Sequence, residues 1–201
     1  MASNNINTVD VFASYILEDV EHCDAVDVVG GLQPAEIFYC YLPDILTLRT
    51  PPAFSTNESA GTIKSMITCK QHKGFKKIKA LIDTAGLSSK FSGKSDSSTL
   101  NGFLLGTRGQ LIGMSRKLRY RPFVFIVKDN NGRQFIIGNL VSPAYLKNFD
   151  LNTGIKYEDD NGASFTIESS SIIYEYLPSI PVLVPQDLDG DFDDDFENEF
   201  D

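Results

Sequence analysis

Short apolar runs bounded by Gly, Pro, Asn and Ser recur along the chain, a pattern typical of a protein built from many strands. The clearest signal is PFVFIVKDNNGRQFIIGNL, where two apolar runs flank Asn131 and Gly132, residues that tolerate the positive φ of a tight hairpin turn. A second hairpin is predicted around Asn161 and Gly162, because apolar and polar residues alternate in the segment that follows. The predicted strands are 36–42, 62–70, 75–83, 87–92, 98–105, 123–128, 133–140, 154–158, 163–169 and 171–177.

One segment, about 108–120, has helical periodicity instead. Leu111 and Leu118 share one side, basic residues occupy the other, and Pro122 follows the end. This pattern predicts a single amphipathic helix flanking a mainly β fold. The early segment 9–20 is ambiguous, and a helix and an irregular stretch both stay open there.

The organisation predicted for the chain is one domain, a linker and a tail. The 201 residues, 42% apolar and 22% charged, have the size and composition of a single globular domain. Prolines in PSIPVLVPQD disfavour both a helix and a central strand, so an extended linker is expected. The predicted bounds are 1–177 for a β-rich domain, 178–186 for the linker and 187–201 for an acidic tail that is disordered in the isolated molecule.

The net charge of −9 belongs to the tail alone. Residues 187–201, DLDGDFDDDFENEFD, hold nine of the 27 acids and no base, which leaves 18 acidic and 18 basic residues in the rest of the chain. The body is therefore neutral overall, and it has no bulk field that would attract DNA.

The tail has a regular apolar spacing within its carboxylates. A calcium loop needs glycine at its sixth position and an acid at its twelfth, and a loop starting at Asp187 or at Asp189 has neither. Apolar residues recur every fourth position, as in a peptide that becomes ordered in a partner's groove. A solvated end without a partner is the alternative. The predicted docking residues are Leu188, Phe192, Phe196, Phe200, Asp193, Asp194 and Asp195.

Two basic stretches stand out in the neutral body, KQHKGFKKIK at 70–79 and RKLRYR at 116–121. Lysines interleaved with an aromatic residue can follow a phosphate backbone, but they also protect strand edges or form subunit contacts. The residues predicted for subunit or phosphate contacts are Lys70, Lys73, Lys76, Lys77, Arg116 and Arg119.

Signals of catalysis are weak. The only histidines, His22 and His72, have no partner at metal-ligand spacing, and no G-x-S-x-G elbow is present. LIDTAG and SGKS resemble nucleotide-binding motifs, but Ser88 stands where a phosphate loop needs glycine, and the two motifs are in reversed order. The three scattered cysteines predict reduced thiols. We therefore expect no enzyme activity, no catalytic residue, no metal and no cofactor.

Four segments in order carry a family resemblance: CDAVDVVGGLQPAEIFYCYLPDI, FKKIKALIDTAGLSSKFSG, RKLRYRPFVFIVKDNNGRQFIIGNLVSPA and TGIKYEDDNGASFTIES. Over about 23–177 the chain resembles small virion proteins of tailed bacteriophages and prophages, of the tail-tube or neck-ring type found in crAss-like phages. The resemblance implies a β-sandwich or barrel flanked by a helix, assembled into rings that line a DNA channel. It implies no catalytic residues, and it does not cover the linker or the tail.

The expected function is thus a structural component of a phage virion that forms a homo-oligomeric ring in the tail or neck. Its expected partners are copies of itself, neighbouring tail or portal-side proteins, and passing double-stranded DNA bound without sequence specificity. Host cytoplasm during assembly, then the virion, is the expected location. No run of eighteen apolar residues predicts a membrane span. The alternative function is a phage single-stranded DNA-binding protein, a class whose acidic end recruits partners.

Overall fold

The computed structural model describes residues 18–20, 29–52, 56–93, 95–156, 158 and 160–183. The predicted tail 187–201, with all its docking residues, lies outside these ranges, as does the linker beyond 183. The early segment 9–20 is described only at 18–20, which are not helical.

Twelve strands and two α-helices form the described part of the chain. The helices are α1 (Asn57–Gly61) and α2 (Gly109–Leu118), and a 3-10 turn spans Leu42–Asp44. The strands are β1 (Leu32–Tyr41), β2 (Ile45–Thr47), β3 (Thr62–Ile63), β4 (Thr68–Cys69), β5 (Lys76–Ile78), β6 (Gly86–Ser92), β7 (Ser95–Leu105), β8 (Phe123–Asp129), β9 (Gln134–Ile137), β10 (Ala144–Asn152), β11 (Gly162–Ser169) and β12 (Tyr174–Tyr176).

The fold is mainly β with a flanking helix, which confirms the predicted class. Ten strands form one sheet in the order β3-β12-β9-β8-β10-β11-β7-β6, with β1 pairing both β5 and β8, while β2 and β4 form a separate pair. Within the described residues this path runs from β3 to β6 without closing, so it does not make a barrel. Helix α2 lies within the segment predicted for it, and Leu111 and Leu118 are its buried residues.

Strand β8 is central because both of its faces are buried. Phe123, Phe125 and Val127 belong to one apolar core, shared with β7, β11 and α2. Val124 and Ile126 belong to a second core, shared with β12 and the segment before β5. Side chains on a strand alternate between faces, so one continuous apolar run serves both cores.

The β8–β9 hairpin forms at the predicted turn, although only one of its two central residues uses a positive φ. Gly132 has φ 86°, whereas Asn131 is not in the left-handed region. The Asn131 side chain instead accepts from the Val29 N–H at 2.9 Å and donates to the Val29 carbonyl at 2.9 Å. The turn therefore also holds the segment that leads into β1.

The second predicted hairpin is wrong in its first strand. Residues 154–156 and 158 are not in a strand, and β11 pairs with β10 instead. The β10 sequence escaped detection because its register shifts between Leu146 and Asn148, which breaks the two-residue alternation. Gly162 also has a different role from the predicted turn, since an added Cβ would contact the Phe103 ring and the Leu104 carbonyl of β7.

The remaining strand predictions differ mainly in length. The segment 62–70 is divided between β3 and β4, which belong to different sheets, and β2 was not predicted. Predicted strands at 75–83, 133–140 and 171–177 contract to β5, β9 and β12. The length of such short strands is set by tertiary packing rather than by their own composition.

Candidate functional site

A groove of about 910 Å³ lies between β5, the end of β1 and helix α2. Tyr39 and Tyr41 of β1 line it together with Phe123 of β8. The Tyr41 and Phe123 ring centroids are 5.6 Å apart, and those of Tyr39 and Phe123 are 6.0 Å apart. The half-buried rings of Tyr39 and Tyr41, backed by the buried ring of Phe123, give the groove an aromatic floor. Burial raises the pKa of the Tyr39 phenol above its ordinary value, because the charged form is poorly solvated there.

Basic residues line the groove together with this floor, and all but Arg108 come from the two basic stretches of the sequence. Lys76 lies opposite Tyr39 in the β1–β5 pair, whereas Lys77 lies opposite Phe38 and so directs its side chain to the other face. Seven Lys and Arg residues line the groove, against Asp44 as the single acid. The basic residues are Lys73, Lys76, Lys77, Lys79, Arg108, Lys117 and Arg121. We call this set and the aromatic floor the basic groove. Its charge is local, because the body of the protein is neutral overall.

Only one of the seven bases has an acidic partner among the described residues. The Lys77 ammonium lies 3.0 Å from the Glu36 carboxylate and 4.9 Å from the centre of the Phe38 ring. The other ion pairs of the described chain join Lys64 to Glu58 and Lys147 to Glu168, both outside the groove. The other six groove bases form no ion pair within 4.0 Å in the described structure. Like charges gathered around a concave surface attract an anion.

Helix α2 lines the groove with residues spaced so that they lie on one side of the helix. Gln110, Met114 and Lys117 fall three to four residues apart and line the groove together. Leu118, next to Lys117, is buried in the core and fixes the rotation of the helix. After the helix, the Arg121 guanidinium lies 5.9 Å from the centre of the Tyr41 ring.

The sequence-predicted contact residues divide between the groove and the open surface. Lys73, Lys76 and Lys77 line the groove. Lys70, Arg116 and Arg119 are exposed and do not line it, and the Arg119 guanidinium lies over the Tyr120 ring at 4.7 Å.

Four further bases line the groove: Lys79, Arg108, Lys117 and Arg121. The two basic stretches of the sequence included Lys79, Lys117 and Arg121, although none of them was named as a contact residue, and Arg108 lay outside both stretches. The spacing of Lys117 from Leu111 and Leu118 could have placed it at the border of the buried face. Arg108 and Arg121 lie outside helix α2, and only the tertiary structure brings them to the same groove.

The two described cysteines do not form a reactive site. Burial raises the pKa of the Cys40 thiol to about 12, and the neighbouring Cys69 adds to the rise. A thiol with this pKa stays protonated at neutral pH, and the thiolate is the nucleophilic form. Among the described residues, no group of His, Cys, Asp and Glu could hold a metal ion. No described helix is long and apolar enough to cross a membrane.

A second notable surface is the edge strand β6. It pairs with β7 on one side, and within the part of the chain that the structure describes no strand pairs with its other side. From Ser88 to Ser92 every residue is exposed, and the Phe91 side chain is 76% exposed. An uncovered edge presents backbone N–H and C=O groups that can pair with another strand.

No known family model, curated protein or solved structure matches the chain.

Proposed function

We propose that the protein is a non-enzymatic structural subunit of a tailed-bacteriophage virion, forming a homo-oligomeric ring in the tail or neck around the DNA channel. The observation that carries this proposal is the open edge of β6 with its exposed Phe91. In a closed ring, each subunit covers the edge of its neighbour, so no edge is left unpaired. Neighbouring tail or portal-side proteins are the further partners.

Other exposed apolar side chains are consistent with an assembling subunit. Val141, Tyr120 and Ile82 are 91%, 80% and 66% exposed, and each lies on a connection between elements. Single exposed apolar residues are ordinary on soluble proteins, and it is their combination with an open strand edge that supports assembly.

The test is the oligomeric state of the full chain, measured by light scattering after size-exclusion chromatography and by negative-stain imaging. Wild-type protein is expected to form rings. Phe91→Ser is expected to lower the assembled fraction at least tenfold, because an interface contact is lost while the domain core is untouched. Leu46→Ser, at a 57% exposed position of β2 and outside the large sheet, is the matched control for removing exposed apolar area. A wild-type protein that stays monomeric at high concentration would contradict the proposal.

The basic groove favours a second candidate function, a phage single-stranded DNA-binding protein. Aromatic rings beside lysines and arginines are the usual means by which proteins hold single strands, through stacking and phosphate contacts. Lys117 of helix α2 and Lys76 of β5 line the same groove as the half-buried rings of Tyr39 and Tyr41.

A fluorescent oligonucleotide separates the two candidates. If the second is right, titration at low salt shows micromolar binding that weakens steeply with added salt. Lys76→Gln with Lys117→Gln would then weaken binding, while Lys64→Gln with Lys90→Gln, outside the groove, would not. If the wild type and the groove variant bound the oligonucleotide with equal affinity, this function would be ruled out.

A further inference from the structure

The chain leaves the described domain at the rim of the basic groove. The Phe75 N–H donates to the Pro181 carbonyl at 2.9 Å, and the Leu183 N–H donates to the Phe75 carbonyl at 3.0 Å. Val182 pairs with Phe75 in a parallel bridge. Since the bridge is parallel, the chain at Leu183 is heading in the direction in which β5 runs past its lysines. Leu183 itself lines the groove.

This exit is tightly held. A Cβ added at Gly74 would lie 2.8 Å from both the Pro181 carbonyl oxygen and the Leu183 nitrogen. Such distances leave no space for a side chain, so the glycine permits the close approach of the two segments. The place and direction of the exit are therefore properties of the folded domain.

The acidic segment begins within reach of the groove. Asp187 is four residues beyond Leu183. An extended chain spans about 3.3–3.6 Å per residue, so the first carboxylate lies within about 14 Å of the rim. The fifteen residues 187–201 span about 50 Å when extended and about 22 Å as a helix. Either length suffices to cross a groove of about 910 Å³.

The chemistry of the segment complements that of the groove. The groove offers six bases without an acidic partner among the described residues, and the segment offers nine carboxylates and no base. The groove also has an aromatic floor, and the segment carries Leu188, Phe192, Phe196 and Phe200 at four-residue spacing. Charge and apolar contact can therefore be satisfied together.

We propose that the acidic C-terminal segment 187–201 docks in the basic groove of its own chain. The covalent connection supports this choice of occupant over a separate molecule, because a short tether gives an effective concentration near the millimolar range. The docked segment excludes other polyanions from the groove until one of higher charge displaces it. This inference does not depend on ring assembly.

Carbodiimide crosslinking of the full chain tests the proposal, since it joins lysine amines to carboxylates that they contact. After denaturing electrophoresis, crosslinked peptides are mapped in the monomer band, which contains only links within one chain. The expected links join acids of 187–201 to groove lysines. Lys64 and Lys90, which lie outside the groove, are the internal controls.

Two variants of the full chain give the expected change. Lys76→Gln with Lys117→Gln should reduce the links from the remaining groove lysines, Lys73 and Lys79, about fivefold, because two charge contacts are lost. The charge-matched pair Lys64→Gln with Lys90→Gln should leave them unchanged. Replacing Asp193, Asp194 and Asp195 by Asn should also reduce the crosslinks from the groove lysines. These substitutions lie in the acidic segment and change no residue of the described domain.

Three outcomes would overturn the proposal. Tail links to Lys64 and Lys90 as frequent as those to the groove would show no docking site. Groove links found only in dimer and larger bands would assign the groove to a neighbour's segment. Absence of tail links, combined with protection of groove lysines from acetylation by a single-stranded oligonucleotide, would assign the groove to nucleic acid.

Discussion

Two glycines of the β7–β11 pair lie where the neighbouring strand leaves no space for a side chain. A Cβ at Gly102 would meet the Phe165 ring at 2.6 Å, and one at Gly162 would meet the Phe103 ring at the same distance. Each glycine is thus covered by an aromatic ring from the opposite strand, an arrangement that restores packing where a side chain is missing. Their role is close approach, since neither has a positive φ.

Gly162→Ala is therefore expected to lower the free energy of unfolding by about 1–3 kcal/mol through overpacking. Gly86→Ala is the matched control, because a Cβ there meets nothing within 4 Å and the residue is exposed. Urea unfolding followed by circular dichroism measures both variants. Equal midpoints for the two would show that the β7–β11 contact tolerates a side chain.

Cys40 predicts a specific alkaline response. Burial raises its pKa from 9.0 to about 12 in the folded state, so folding favours the protonated thiol. The resulting stability is fully present below pH 9 and is lost as the pH rises toward 12. Cys40→Ala should therefore show a shallower fall of melting temperature between pH 8 and 11 than the wild type. If the melting temperatures of the two proteins fell equally with pH, the alkaline loss of stability would not come from Cys40.

At the scale of elements, the β8–β9 hairpin depends on one carboxylate in its turn. Asp129 accepts from the Asn131 N–H at 3.0 Å and from the Arg133 N–H at 2.7 Å. The Asn131 and Asn130 side chains then bond the segment before β1, at Val29 and Gly30. The turn thus organises both its own hairpin and the neighbouring chain.

Asp129→Ala should lower the free energy of unfolding by about 1–3 kcal/mol, because two turn N–H groups lose a charged acceptor. Asp150→Ala in β10 is the control, since that carboxylate is exposed. Chemical denaturation gives the size of the effect, and amide exchange of residues 131 and 133 localises it. Unchanged exchange at these amides would show that the carboxylate does not hold the turn.

Across the whole molecule, the two apolar cores share β8 and should unfold together. Ile126 is fully buried in one core, and its neighbours Phe125 and Val127 are fully buried in the other. Loss of packing on one face moves the same backbone that supports the opposite face. The domain is therefore expected to behave as one cooperative unit.

Ile126→Val should cost about 0.5–1.5 kcal/mol and should reduce the amide protection of Ile167 and Tyr176 by the same factor, although these residues lie in different cores. Ile82→Val, at a 66% exposed position, should change neither. Hydrogen exchange measures both amides in one experiment. A loss of protection confined to Tyr176 would mean that the cores open independently.

The mainly β class, helix α2 and the β8–β9 hairpin were predictable from the sequence because each depends on local information. Alternation, helical periodicity and an Asn-Gly turn all act within a few residues. Strand β10 was missed because a register shift interrupts its alternation, and the length of β3 and β4 was misjudged because packing alone separates them.

The same division holds for the candidate site. The sequence by itself determined that acids are concentrated in 187–201 and that bases are concentrated in two separate stretches. Only the tertiary structure decided which bases meet, since Lys117 of α2 lines the groove and the adjacent Arg116 does not, although both are exposed. It also placed the chain's exit beside β5 through the Phe75–Val182 bridge. These placements depend on contacts between residues far apart in sequence, which no local pattern encodes.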